Sequence, residues 1–294
     1  MNFLRGIIIM LFAMVSSFHS YSKNGNSANE SLWKHYFMPS VGIELITFRD
    51  LATSPLFYDG VGLAGNIAWQ WEHPKNETNL ALYGTSSTTT SRTPLSTFFQ
   101  TSTSSSFLSG SVYVHSLFTL PSLSNDKRTV QLGGAMANTW NIRSNPSLFN
   151  NGFGMESFAN LFLSGKGIYD ISRKHSVVQD FVLFTRTLQP AKRNISLQLN
   201  IGLLNLNYRP GYAYNADVAL DGSNTDPLAF LLDGHVWKIN GYRLGTQLDY
   251  TKYIPNGNGH RWSYIWDIAQ APGRFEPFEM VTHRIQYTLL IQTK

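Results

Sequence analysis

The chain has 294 residues, no cysteine, 14% charged and 14% aromatic residues, and a net charge of +5. The lack of Cys excludes a disulfide framework, a thiolate metal site and a lipid-anchoring cysteine. The charge content lies well below the roughly 25% of soluble domains, which argues against a fully solvated surface, and the cations form no run of the kind nucleic-acid binders carry.

Residues 1–22 read as an export signal. Arg5 gives a positive start, residues 6–15 an apolar core too short to span a bilayer, and Ser20 and Ser22 a small-residue site before Lys23. Residues 23–40 read as an N-terminal periplasmic segment, and 41–294 as one domain. The first strand, 41–48, presents Glu44 on the face of Gly42 and Ile46. The most informative stretch follows at 60–71. Val61, Leu63, Ile67, Trp69 and Trp71 fall on one face; Gly60, Gly62, Ala64, Asn66, Ala68 and Gln70 fall on the other. Successive strand side chains point to opposite faces. A soluble strand would show Lys and Glu on its wet face. An apolar face ending in aromatics, backed by a small polar one, is the pattern of a strand in a transmembrane barrel.

The pattern recurs along the chain. Segments 130–143, 195–204, 242–251 and 281–291 alternate in the same sense, each about as long as a tilted strand needs to cross hydrocarbon. Weaker strands fall at 79–86, 107–118, 156–164, 177–189 and 260–270. Between them, 73–79, 122–128 and 254–260 carry Pro, Asn and Gly and read as periplasmic turns. The connections at 49–60, 143–156 and 205–235 read as outer loops. Residues 85–106 are mostly Ser and Thr, with Arg92 the only charge; they read as an outer loop or an extended hairpin.

These features predict an all-β chain: a closed, antiparallel, up-and-down transmembrane β-barrel. Closure is required because an open edge in lipid leaves backbone groups unpaired. Eleven segments can be counted and bacterial barrels use even numbers. We therefore expect about twelve strands, with 87–106 or 213–233 hiding one, and ten as the alternative. Signal peptide, low charge, alternating strands and aromatic strand ends together resemble the Gram-negative outer-membrane β-barrel proteins, of no particular subfamily. One departure is the ending Ile291-Gln292-Thr293-Lys294, where such chains typically finish on an aromatic residue.

The resemblance implies residence in the cell outer membrane, with outer-membrane lipid and an envelope protein complex as partners and no nucleic acid. Some barrels of this kind are enzymes. Hydrolases among them place His and Ser two residues apart on one face, whereas His115–Ser116 and His175–Ser176 are adjacent and diverge. Asp233-Gly234-His235 matches half of an omptin-like protease site, but Asp217, Asp221 and Asp226 lack the spacing of the other half. No catalytic residue, metal site or cofactor is expected. With the apolar faces toward lipid, Glu44, Arg143, Arg243, Asp249 and Arg284 project into the lumen, either bracing a narrow barrel or lining a passage. Glu44 and Arg284 lie on the two strands that must meet to close it. Trp69, Trp71, Trp140, Tyr250, Trp262 and Trp266 are the candidate aromatic girdle. The expected function is a narrow porin-like channel or a structural or accessory envelope component. The alternatives are a barrel hydrolase with an unrecognised site and a secreted β-sandwich that binds glycans.

Overall fold

A computed structural model describes residues 33–51, 54–92, 103–151, 153–181, 184–210, 235–272 and 277–293. The expected signal at 1–22 lies outside the described residues. The strands are β1 (Lys34–Asp50), β2 (Ser54–His73), β3 (Asn76–Ser91), β4 (Ser104–Thr119), β5 (Arg128–Ser144), β6 (Phe153–Asp170), β7 (Val177–Phe181), β8 (Phe184–Leu188), β9 (Arg193–Pro210), β10 (His235–Ile239), β11 (Tyr242–Tyr253), β12 (Gly259–Pro272) and β13 (Pro277–Gln292). Ten of them form the wall, in the order β1 to β6, then β9, β11, β12 and β13, every neighbour antiparallel. β13 pairs with β1, and β6 with β9, so the sheet closes.

The count is thus ten, the smaller of the two expected numbers. Segment 177–189 does not cross. It forms the β7–β8 hairpin, five residues per strand and paired only with itself, whereas a crossing strand needs about nine. Of residues 87–106, those described extend the β3–β4 hairpin, with Thr90 opposite Ser104; 93–102 and 213–233 lie outside the described residues. β1 begins at Lys34, ahead of the expected start at 41, because Tyr36 and Met38 already bury their side chains inside the barrel.

β10 stands apart from the wall but continues β11. Ile239 faces Leu206 and Leu244 faces Ile201, five residues on along each chain, so the register on β9 is unbroken. The interruption falls at Gly241, whose φ of 84° only glycine adopts without strain.

Both ends of the wall, the start of β1 and the finish of β13, lie at one end of the barrel, here the terminal end. The other is the distal end. Outward faces carry an exposed apolar band. Val61 on β2 is 59% exposed, Leu199 on β9 44% and Leu248 on β11 46%. Inward faces carry small and polar residues, buried not by a second layer but by one another across the lumen. This inversion of the soluble pattern is what a wall in hydrocarbon demands.

Candidate functional site: the barrel lumen

The lumen is filled in layers. At the distal end Phe48, Tyr58, Phe107, Phe158 and Phe278 form one buried cluster with Ile46 and Met280. Phe48 stacks on Tyr58 with ring centroids 5.1 Å apart. Across this cluster runs a chain of buried charges. Arg143 Nη2 donates to Asp50 Oδ2 at 2.6 Å and Glu156 Oε2 at 2.8 Å. Arg209 Nη2 donates to Asp50 Oδ1 at 2.7 Å, and its Nη1 to the Ala271 carbonyl at 2.6 Å. Both guanidiniums lie over the Phe278 ring, at 5.0 and 5.4 Å. Two cations and two anions balance, which is what lets four charges sit together out of water.

Below this layer lies a cavity of about 110 Å³, bounded by Glu44, Arg284, Arg243, Asp267 and the rings of Tyr83 and Phe162 among others. Arg284 donates twice to Glu44 Oε2, at 3.0 Å from Nε and 2.5 Å from Nη2. Arg243 Nε donates to Asp267, and its Nη1 to Thr139 and Asn160 at 2.9 Å each. Tyr83 and Tyr113, edge to face at 6.5 Å, close the cavity toward the terminal end. Tyr113 Oη accepts from Gln198 Nε2 at 3.0 Å and donates to Asn200 Oδ1 at 3.3 Å.

Beyond the tyrosines a second cavity, about 30 Å³, holds a further charge cluster. Lys166 Nζ donates to both oxygens of Glu77 at 2.6 and 2.8 Å, and His115 Nε2 lies 3.0 Å from Glu77 Oε1. Asp249 accepts from Gln247 Nε2 at 2.9 Å and from Ser196 Oγ at 3.4 Å.

The five charges expected in the lumen are therefore inside, but in separate clusters. Only Glu44 and Arg284 bond to each other. Arg143 belongs to the distal chain, Arg243 pairs with Asp267, and Asp249 stands near the terminal half. Asp50, Glu77, Glu156, Lys166, Arg209 and Asp267 were not singled out from the sequence, and His115 was considered only as a partner for Ser116. Glu156 opens the expected segment 156–164 and Lys166 lies two residues past its end, both in phase with inward Asn160 and Ser164, so alternation could have found them. Arg209 could not. At Leu203 and Leu204 two successive residues face outward and the β6–β9 register shifts. This bulge reverses the parity of everything after it.

Of the candidate girdle, Trp69, Trp71, Tyr250 and Trp262 fall in the halves of their strands nearer the terminal end. Trp140 falls in the distal half of β5, and Trp266 midway along β12. Further rings join the terminal group: Phe37 packs on Trp69 at 5.8 Å, and Tyr287 on Trp262 at 4.9 Å. His115 points inward and Ser116 outward, where it meets Thr78 across the strand pair. Asp217, Asp221, Asp226 and Asp233 lie outside the described residues. Among the described residues no three His, Asp or Glu side chains are grouped to hold a metal ion.

No protein-family model matches the chain, and no curated protein matches its sequence. Several solved structures share its general shape. The outer-membrane protease OmpT of Escherichia coli is 8% identical with a TM-score of 0.47, over 88% of this chain and 95% of that one. The translocator domain of the autotransporter NalP of Neisseria meningitidis is 7% identical at 0.35, over 98% and 97%. An outer-membrane channel of Pseudomonas putida F1 is 8% identical at 0.32, over 87% and 95%. At such identities and scores these likenesses assign no activity. The barrel stands on its own strand pairing.

Proposed function

We propose that this chain is an outer-membrane β-barrel with a closed lumen, a structural or accessory component of the envelope rather than a solute pore. The membrane part rests on complete strand pairing around the wall together with the apolar outward band. A closed wall also serves soluble barrels, but a closed wall whose apolar face points outward is what lipid requires.

The closed-lumen part is carried by one observation: Asp50, Arg143, Glu156 and Arg209 bridge the distal lumen, each buried, against a cluster of five aromatic rings. The cavities beneath, about 110 and 30 Å³, are divided by Tyr83 and Tyr113. Reconstitution in planar bilayers tests this. The wild-type chain is expected to show no steady unitary conductance, whereas Arg143→Ala with Arg209→Ala opens a small one. A steady wild-type conductance of the size of a water-filled pore overturns the reading. Cell fractionation tests location: the chain is expected with outer membranes, migrating differently on gels when unheated, and a detergent-free periplasmic monomer would contradict it.

A further inference from the structure

The cations that look scattered in the sequence are gathered by the topology at one end of the barrel. Every connection at the terminal end contributes. Lys34 opens β1, Lys75 sits in the β2–β3 turn, and Lys127 and Arg128 lead into β5. Lys174 and Lys192 flank the β7–β8 hairpin, and Lys252 closes β11. All seven are exposed, and among the described residues none makes an ion pair. The exposed carboxylates at that end are Asp126, Asp170 and Asp180. Two of them have local work: Asp170 accepts from the Ser172 amide at 2.7 Å, and Asp180 from Thr185 Oγ1 at 2.7 Å.

The distal rim is arranged differently. Among the described residues its outer arginines are both held: Arg49 by Glu279 at 2.7 Å, and Arg92 by Asp59. Among the described residues, then, the outer arginines of the distal rim are ion-paired and the seven cations of the terminal rim are not.

We infer that the terminal rim is a docking surface for the anionic phospholipid headgroups of the leaflet at that end. This rests on the membrane reading above. Two features choose a lipid surface over an acidic protein. The cations form a ring, one or two from each turn around the whole circumference, which meets a plane rather than a convex partner. The ring also begins where the apolar band and its aromatics end. Lys252 is two residues past outward-facing Tyr250 on the same face, and Lys34 lies three residues ahead of outward-facing Phe37; Lys192 stands over the mouth of the lumen, 4.9 Å from the inner-face Tyr253 ring. Rings at the boundary and cations just beyond it put the charges at headgroup depth. An anionic leaflet attracts them there, and salt screens that attraction over about 8 Å at physiological strength.

The test refolds the full chain into phosphatidylcholine vesicles and into mixed phosphatidylcholine–phosphatidylglycerol vesicles, and follows unfolding by urea titration and gel shift. The wild type is expected to gain at least about tenfold in its folding equilibrium constant in the mixed vesicles at low salt, given an effect of about fivefold per cation at an anionic surface. High salt removes the gain. The variant Lys34→Gln, Lys75→Gln, Lys127→Gln, Arg128→Gln, Lys252→Gln folds as well as wild type in phosphatidylcholine and shows no gain. The distal control, Arg49→Gln with Glu279→Gln, keeps it. A wild type that folds in phosphatidylcholine but gains nothing from phosphatidylglycerol overturns the inference alone, as does a five-site variant that keeps the gain. Equal binding of soluble heparin by wild type in detergent, with no difference between vesicles, overturns it in favour of a soluble polyanion. Failure of the wild type to fold in either vesicle defeats the membrane reading as well.

Discussion

Arg209 is the largest fully buried side chain among the described residues, 1% exposed, and it is a cation. It is held there by Asp50, by the Ala271 carbonyl and by the face of Phe278. Removing one partner of a buried pair leaves the other charged and dry, at about 3–5 kcal/mol. Arg209→Ala is therefore expected to lower stability by about that amount, read as the urea midpoint of the gel-shifted form. Arg209→Met combined with Asp50→Asn should recover much of the loss, since it leaves no strong orphan charge. Glu44 and Arg284 give a parallel case at the closing seam, where β1 and β13 set them directly opposite each other. Arg284→Ala should destabilise on the same scale, again about 3 kcal/mol, and leave bilayer conductance at the wild-type level. A change in conductance with unchanged stability would mean that the pair lines a path and does not brace the wall.

At the scale of single strands, much was readable and the failures have definite causes. β2 was legible because its two faces differ from Gly60 to Trp71 at every position but Gly65, so one register satisfies both lipid and lumen. Glu44 and Arg284 were legible because alternation alone fixes which way each points. β7 and β8 were misread as part of one crossing strand, since composition does not reveal that a hairpin turns back after five residues. Arg209 was hidden by the bulge at Leu203 and Leu204. The bulge makes its own prediction. Deleting Leu203 removes the extra residue, so strict alternation returns with Leu204 outward and Asn205, Asn207 and Arg209 still facing the lumen. Such a chain is expected to keep the heat-modifiable folded form in vesicles, and its loss would show that the bulge itself is needed to seat Arg209. Alternation also forecasts a contrast between neighbours on β11. Leu248→Arg puts a charge on the lipid face and should cost about 2–4 kcal/mol near the midplane. Gln247→Arg places it in the lumen two residues from the Asp249 carboxylate and should be the milder of the two by urea titration.

Taken as a whole, the molecule is a wall with appendages. The wall is defined by continuous pairing through ten strands, and every charge cluster of the lumen is strung between wall strands. The charge asymmetry between its rims exists only at this scale, because no window of sequence contains two of the five cationic connections. The β7–β8 hairpin belongs to the appendages. Its strands pair with each other, and it meets the wall through the Arg173–Ala191 bridge and the backbone bond from Ile171 to Arg193. Replacing residues 174–190 by Asn-Gly keeps that bridge and supplies a two-residue turn suited to joining antiparallel strands. The shortened chain is expected to fold into vesicles with an unchanged gel shift. Its stability should rise by about 2 kcal/mol, because a shorter loop loses less entropy on closure, about 0.6 kcal/mol for each of the roughly three halvings of length. A large loss of stability would show that the hairpin is packed into the architecture. An unchanged barrel would leave residues 174–190 free to serve as a contact beyond the membrane, without any part in holding the wall closed.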